Sequence, residues 1–283
     1  MVLCPAIHNL LDTARRKRWC FPLLAGLAVL GSAWLFLGVL EDVATRDPLV
    51  DVDVVVHAML QKLRTPWMDI AMIAVTELGD AEVVVPLMLA ALGWFLWHRL
   101  WQTCLYWLAA VAVAEMVVKV LKILLHRARP GALYDGLESF AFPSGHATVG
   151  VVVYGFLAFL VARAQRPTAR NRIVAGAVVL VASIAFSRLY LGVHWASDVI
   201  AGMSFGLAWV GALALAYSYR CREDVQARPL MIWLVAVMLV AGSWHIGRQH
   251  KADMQRYAPA ARLDIAAVSE LAEALTLPRW QGP

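Results

Sequence analysis

Apolar runs of bilayer-crossing length recur along most of this chain. A helix needs about 20 residues to cross a hydrocarbon core of about 30 Å. Runs of that kind occupy roughly residues 21–40, 81–98, 103–125, 146–163, 173–190 and 198–219, and another, roughly 230–246, opens after Pro229. Proline is tolerated in a first helical turn. Of 283 residues, 61% are hydrophobic and 16% are charged, well under the roughly 25% charged of soluble domains. The expected fold class is all-α: a polytopic membrane helical bundle with a six-helix core, one additional C-terminal transmembrane helix and interfacial amphipathic helices. Residues 1–247 are expected to form the transmembrane domain, with its core at about 20–220, and 248–283 a non-cytoplasmic tail. The first run is too long for a signal peptide and no small-residue cleavage pattern follows it, so it reads as a retained anchor.

The basic residues orient the bundle. Arg15, Arg16, Lys17 and Arg18 precede the first run; Arg163, Arg166, Arg170 and Arg172 separate the fourth from the fifth; Arg220, Arg222 and Arg228 separate the sixth from the seventh. Basic loops stay in the cytoplasm, so the alternate helix ends face outward. The net charge of +5 is mostly this topological signal and argues for no nucleic-acid partner. Cys4, Cys20, Cys104 and Cys221 fall at or near the cytoplasmic side, where no exported disulfide forms, and their spacing suits no zinc site.

Between about 44 and 80, carboxylates are mixed with apolar residues, which predicts two amphipathic helices at the outer interface, broken at Gly79 and Asp80. Trp94, Trp97 and Trp101 read as an interfacial belt. Glu115 and Lys119 lie one turn apart and predict an ion pair; a lipid-lining role is the alternative. Gly202 and Gly206 predict close packing of the sixth helix. Arg262 to Leu277 reads as a short amphipathic helix.

Three polar clusters reach the same outer face. The third run ends in KILLHRARP, the fourth starts at FPSGHAT, and SRLYLGVHWASD connects the fifth to the sixth. Together they bring Lys122, Arg129, Ser144, Gly145, His146, Arg188, His194 and Asp198 to one surface. Taken singly, an interfacial Lys snorkels, a His is a surface hydrogen-bonding group and Ser144 is a helix cap. Their convergence from separate segments points to a site. His194 and Asp198 are neighbours on a helix face, so the carboxylate can fix the imidazole tautomer. Two helix N-termini and the cations Lys122, Arg129 and Arg188, set against Asp198, make an anion site suited to phosphate. That excess of positive charge predicts no metal.

Lys122–x6–Arg129-Pro130, Pro143-Ser144-Gly145-His146 and Ser187-Arg188–x5–His194–x3–Asp198 resemble the three-part signature of the type 2 phosphatidic acid phosphatases, the PAP2 superfamily, whose site is similar to that of vanadium haloperoxidases. The resemblance implies that His194 is the nucleophile, forming a phosphohistidine, that Asp198 orients and activates it, and that His146 protonates the leaving oxygen. It also implies that Lys122, Arg129, Ser144, Gly145 and Arg188 hold the phosphate and that no metal or other cofactor is needed.

The expected substrate is a lipid phosphate at the outer face of a bacterial inner (plasma) membrane. Undecaprenyl diphosphate or a related polyprenyl phosphate comes first; phosphatidylglycerol phosphate, phosphatidic acid and lipid A phosphates are the alternatives. A transporter would place its charges near the midplane and often show an internal repeat. A non-catalytic lipid-phosphate receptor would have no need of both histidines and Asp198. Membrane lipids are the only other partners expected.

Overall fold

The computed structural model describes residues 5–45, 49–131 and 136–259, with the backbone alone for 5–22, 49–51 and 137. These form nine α-helices: α1 (Pro5–Thr45), α2 (Leu49–Lys62), α3 (Pro66–Glu77), α4 (Ala81–Trp97), α5 (Trp101–Leu125), α6 (Gly145–Ala162), α7 (Pro167–Tyr190), α8 (Ala196–Arg220) and α9 (Ala227–Arg256). No sheet occurs among the described residues; a single bridge joins Ala128 to Phe140. Six helical segments are long and apolar enough to cross a membrane: Leu23–Thr45, Pro66–Trp97, Gly145–Ala162, Pro167–Tyr190, Ala196–Arg220 and Ala227–Arg256. Two differences from expectation stand out. Pro66–Trp97 joins α3 to α4 across the Gly79-Asp80 turn, and α5, 25 residues long and expected as a span, is not among the six.

Leu23, Leu30, Trp34, Leu89, Leu105, Val179 and Trp244 are among many large apolar side chains left exposed on the bundle. Such an exterior suits lipid, which dissolves apolar side chains as well as a protein core does. Helix association then rests on close packing rather than on hydrophobic burial. The core is built on α6, the most buried helix, whose Val152, Phe156 and Leu160 are wholly buried among α4, α5, α7, α8 and α9. Aromatic rings fill its lower end, where Phe156 and Phe159 both meet Tyr217 edge-on.

The two small residues on α8 act as expected. A Cβ on Gly202 would fall 2.8 Å from the Ser144 carbonyl, and one on Gly206 would fall 2.8 Å from Val151 Cβ. These glycines let α8 close on α6 and so bring the N-termini of both helices together. Outside α8, α1 packs Val29 against Gly211 and Phe36 against Phe205.

The segment between α1 and α4 departs from expectation. Its two helices form, and Val54, Val55, Met59, Trp67 and Ile70 are exposed. The carboxylates do not face water, however: Asp53, Asp69 and Glu77 are buried against the protein. They are held there by charged or polar partners, as buried carboxylates must be. The C-terminal helix is longer than the expected 230–246 run: α9 reaches Arg256, crossing residue 247 without a break, and Tyr257 beyond it is buried beside Ile73 and Tyr190. Arg262 to Leu277 lies outside the described residues.

Close approach of α6 and α8 yields the first prediction. Gly206→Ala should lower the thermal stability of the detergent-solubilised protein by about 1–3 kcal/mol through overpacking. Gly150→Ala, where a Cβ meets nothing within 4 Å, should leave the melting temperature unchanged or higher.

Candidate active site

All the predicted site residues lie at one end of the bundle, opposite the arginine-bearing loops. Lys122 and Arg188 stand in the last turns of α5 and α7, while Ser144 and Gly145 open α6 and Asp198 lies in the first turn of α8. The opposite end is marked by Arg163, stacked over Tyr217 at 4.7 Å, and by Glu223, which accepts from the Thr103 N–H at 2.8 Å at the start of α5.

Asp198 anchors the geometry. It is fully buried. Its Oδ2 accepts from the Trp195 N–H at 2.9 Å, capping α8, and lies 3.4 Å from His194 Nδ1. Its backbone carbonyl accepts from the Ser144 N–H at 3.0 Å, which ties the start of α6 to the start of α8. Ser144 is the N-cap of α6 as expected, although its hydroxyl is 3.5 Å from the Ala147 N–H. A Cβ on Gly145 would meet only Val118, at 3.9 Å, so protein packing does not demand a glycine there.

The tautomer of His194 follows from its partners. Arg129 Nη1 lies 2.9 Å from His194 Nε2. A guanidinium only donates, so Nε2 accepts and carries no proton. The single ring proton is then on Nδ1, directed at Asp198. Burial holds the His194 imidazole well below its ordinary range, reinforced by the charges of Arg129 and Arg188 and by His146 and Lys122 nearby. The ring is neutral, with an unprotonated nitrogen facing the cationic pocket.

Arg129 reaches this position from beyond the end of a helix. Helix α5 stops at Leu125, and His126 takes a left-handed conformation at φ 45°. The chain then runs extended, with Ala128 bridged to Phe140. Alternate residues of an extended segment share a side, so Arg127 and Arg129 turn together toward the start of α8. Arg127 donates to Asp198 Oδ1, to Ser197 Oγ at 2.7 Å and to Asp53 Oδ2 at 2.7 Å. Asp53 in turn accepts from the Ser197 N–H at 2.9 Å and from its hydroxyl. Thus α2, expected at the interface, braces the carboxylate that faces His194. Sequence alone does not single out Arg127 or Asp53; the spacing of Arg127 two residues before Arg129 was the one available sign.

The remaining cations are also engaged. Arg188 is buried and its Nη1 donates to Thr76 Oγ1 at 2.7 Å. Lys122 Nζ donates to Glu138 Oε2 at 2.6 Å, and Arg129 lies 3.7 Å from the same carboxylate. Burial alone would raise Glu138, but the Lys122 hydrogen bond and the Lys122 and Arg129 charges outweigh it and hold the group below the ordinary carboxylate range. The predicted charge balance therefore needs correction. Besides Asp198, the cluster contains Asp53, Glu138 and Asp80, and these largely neutralise its cations. Glu138 is the most exposed of these carboxylates, its side chain 63% exposed.

His146 is paired from outside the motifs. Its Nε2 lies 2.7 Å from Asp80 Oδ1, and His245 Nε2 lies 3.0 Å from Asp80 Oδ2. Among the described residues, Asp80, Glu82 and His245 are a group whose ligand atoms lie within 4.8 Å of one another. Both Asp80 oxygens are already bonded to imidazoles, so a cation there would have to displace those bonds. Glu115 and Lys119 form their ion pair at 3.4 Å on the exposed face of α5. Cys104 and Cys221 are buried free thiols; Cys4 and Cys20 lie outside the described side chains.

Comparison with known proteins gives this constellation a family. The model of the PAP2 superfamily matches residues 103–222. Phosphatidylglycerophosphatase B of Bacillus subtilis is 30% identical over 182 residues, covering 62% of this chain and 88% of that protein. The chain belongs to the PAP2 superfamily. It is an integral membrane phosphatase of the PAP2 lipid phosphatase family. A decaprenylphosphoryl-5-phosphoribose phosphatase of Mycobacterium tuberculosis is 31% identical over 175 residues, 60% of this chain and 92% of that one. A lipid A 1-phosphatase of Rhizobium johnstonii is 33% identical over 127 residues, 41% of this chain and 48% of that one. The crystal structure of a transmembrane PAP2-type phosphatidylglycerolphosphate phosphatase from Bacillus subtilis superposes with a TM-score of 0.60 at 25% identity, covering 70% of this chain and 98% of that one. The PAP2 match takes in α6, α7, α8 and nearly all of α5; α2, α3, α4 and α9, which supply Asp53, Thr76, Asp80 and His245, lie beyond it.

The His194 surroundings predict a titration. Isotope-labelled histidine NMR, followed from about pH 8 to about pH 5, should find His194 still neutral at pH 6.5, the unperturbed value, with its proton on Nδ1. Because a depressed pKa means protonation only at lower pH, half-protonation at or above 6.5 would contradict the assignment.

Proposed function

We propose that this PAP2 phosphatase hydrolyses a lipid phosphate or diphosphate at the outer face of the bacterial inner membrane, through a phosphohistidine on His194 and without a metal. The observation that carries the reading is the Arg129–His194 contact of 2.9 Å, which presents an unprotonated Nε2 to the phosphate-binding cations.

In this reading the substrate phosphate replaces the Glu138 carboxylate on Lys122 and draws Arg129 from Nε2 onto its own oxygens. The Nε2 lone pair attacks phosphorus and the bond to the leaving oxygen breaks. His146 gives that oxygen a proton. Asp198 stabilises the charge that develops on the His194 ring. Arg188, Lys122, Arg129, Ser144 and the Gly145 N–H hold the remaining phosphoryl oxygens, a fixed electrostatic cradle at two helix N-termini. Water then attacks the phosphohistidine from the side of His146, which takes up a proton and restores both rings. Splitting the displacement into two steps lowers each barrier.

A lipid substrate and an outward site are supported by two further features. The arginine-rich loops at the opposite end of the bundle match a cytoplasmic side. An apolar groove of about 1510 Å³ between α4 and α9, lined by Val85, Pro86, Trp233 and Val237, also takes in Glu82 and His245, the latter bonded to Asp80 of the Asp80–His146 pair. Such a groove suits a long hydrocarbon chain whose phosphate sits at headgroup depth. Undecaprenyl diphosphate or a related polyprenyl phosphate is the preferred substrate. Phosphatidylglycerol phosphate, phosphatidic acid and lipid A phosphate are the alternatives, with relatives acting, by name, on the first and third of these classes.

Phosphate release in detergent across that lipid panel tests both levels. Undecaprenyl diphosphate should give the highest kcat/KM. His194→Ala and Asp198→Asn should each lose about 10³-fold or more in kcat on every lipid while remaining folded. Most of the turnover surviving in His194→Ala would end the nucleophile assignment; a different best lipid would change the substrate alone.

A further inference from the structure

We propose that Asp80, held in place by His245 of α9, is the positioning residue for His146, so that the C-terminal transmembrane helix belongs to the catalytic apparatus. The proposal rests on the reading of His146 as the acid that protonates the leaving oxygen.

Asp80 occupies the N-cap of α4, where an aspartate ordinarily accepts from the first free backbone N–H groups. Here it makes no such bond. Its two oxygens meet the Nε2 atoms of His146 and His245, at 2.7 and 3.0 Å. A carboxylate only accepts, so each Nε2 carries a proton. This fixes Nδ1 of His146 as the nitrogen that delivers the proton to the leaving oxygen and regains one from water. A carboxylate behind an imidazole sets its tautomer and orientation, and stabilises its charged form.

Packing fits the turn to the ring. A Cβ on neighbouring Gly79 would fall 2.8 Å from His146 Cδ2 and 2.9 Å from Ile184 Cγ2. The turn backbone lies directly on the imidazole and leaves no room for a side chain. Helix α9 is locked to the same turn. His245 is buried, a Cβ on Gly242 would meet Leu78 at 3.1 Å, and His250 Nδ1 lies 3.2 Å from the buried Glu77 carboxylate. Just past the end of α9, Arg64 of the α2–α3 connection donates to the Tyr257 carbonyl and pairs with Asp69 at 3.0 Å. These contacts set the depth of His245 against Asp80, and so the direction of His146.

A positioning role separates from a structural one by leaving-group dependence. Release of the leaving group in the first turnover is measured for phosphatidic acid, whose alkoxide needs a proton, and for p-nitrophenyl phosphate, whose phenolate does not. His146→Ala is the reference and should lose about 10²–10⁴-fold on phosphatidic acid and at least tenfold less on the aryl ester. Asp80→Asn should follow the same pattern, about 10–100-fold on phosphatidic acid and little on the aryl ester, with KM unchanged. His245→Ala should show a smaller loss of the same selectivity. Equal loss on both substrates in Asp80→Asn, or no loss, overturns the proposal while a selective His146→Ala keeps the acid reading. Equal loss in His146→Ala itself ends the acid reading, and the role of Asp80 with it.

Discussion

A single buried carboxylate holds the site together. Asp198 caps α8 through the Trp195 N–H, faces His194 Nδ1, accepts from Arg127 and, through its backbone carbonyl, receives the Ser144 N–H. Arg127 and Ser144 reach it from other parts of the fold. An unpaired carboxylate buried there would be costly, so the chain around it is obliged to supply these partners. Supplying them sets the register of α6 against α8, turns the extended segment after α5 inward, and draws α2 over the top through Asp53. The site and the packing are therefore one constraint: the carboxylate that faces His194 also fixes the frame in which Ser144 and Arg127 stand.

Helix packing supplies the second requirement. In lipid, apolar side chains gain little from leaving the solvent, and small residues are needed for backbones to approach. Gly202 and Gly206 provide that approach between α8 and α6. Two helix N-termini thereby come to one place, a geometry whose free N–H groups favour negative charge. In the structure a side-chain carboxylate, Glu138, sits on Lys122.

Much of this was legible in the sequence because it rests on local spacing. Run length predicted the long helices, and the four-residue interval predicted the contact of His194 with Asp198, although His194 stands just before the N-cap of α8 rather than on the helix face. Gly202 and Gly206 predicted the close crossing. The longer reach of α9 was not legible, since residues beyond 246 are polar and continue the helix only because His250 and Tyr257 find partners on α3 and α7. Nor were the partners of the motif residues. Asp53, Thr76, Asp80 and His245 are far from the motifs in sequence, and a carboxylate in an amphipathic helix looks like a water-facing group. Only the fold shows Asp53 and Glu77 turned inward. The charge balance of the pocket was misjudged for the same reason: the cations are grouped in the motifs, whereas their counterions are scattered.

The account stands on two imidazoles addressing one phosphorus from opposite sides. The most direct measurement is an experimental structure with vanadate, a mimic of five-coordinate phosphorus. The account predicts a bond from His194 Nε2 to vanadium, equatorial oxygens on Lys122, Arg129 and Arg188, and His146 against the apical oxygen opposite His194. Vanadate bound through any other residue, or with His146 turned away from that oxygen, would contradict it.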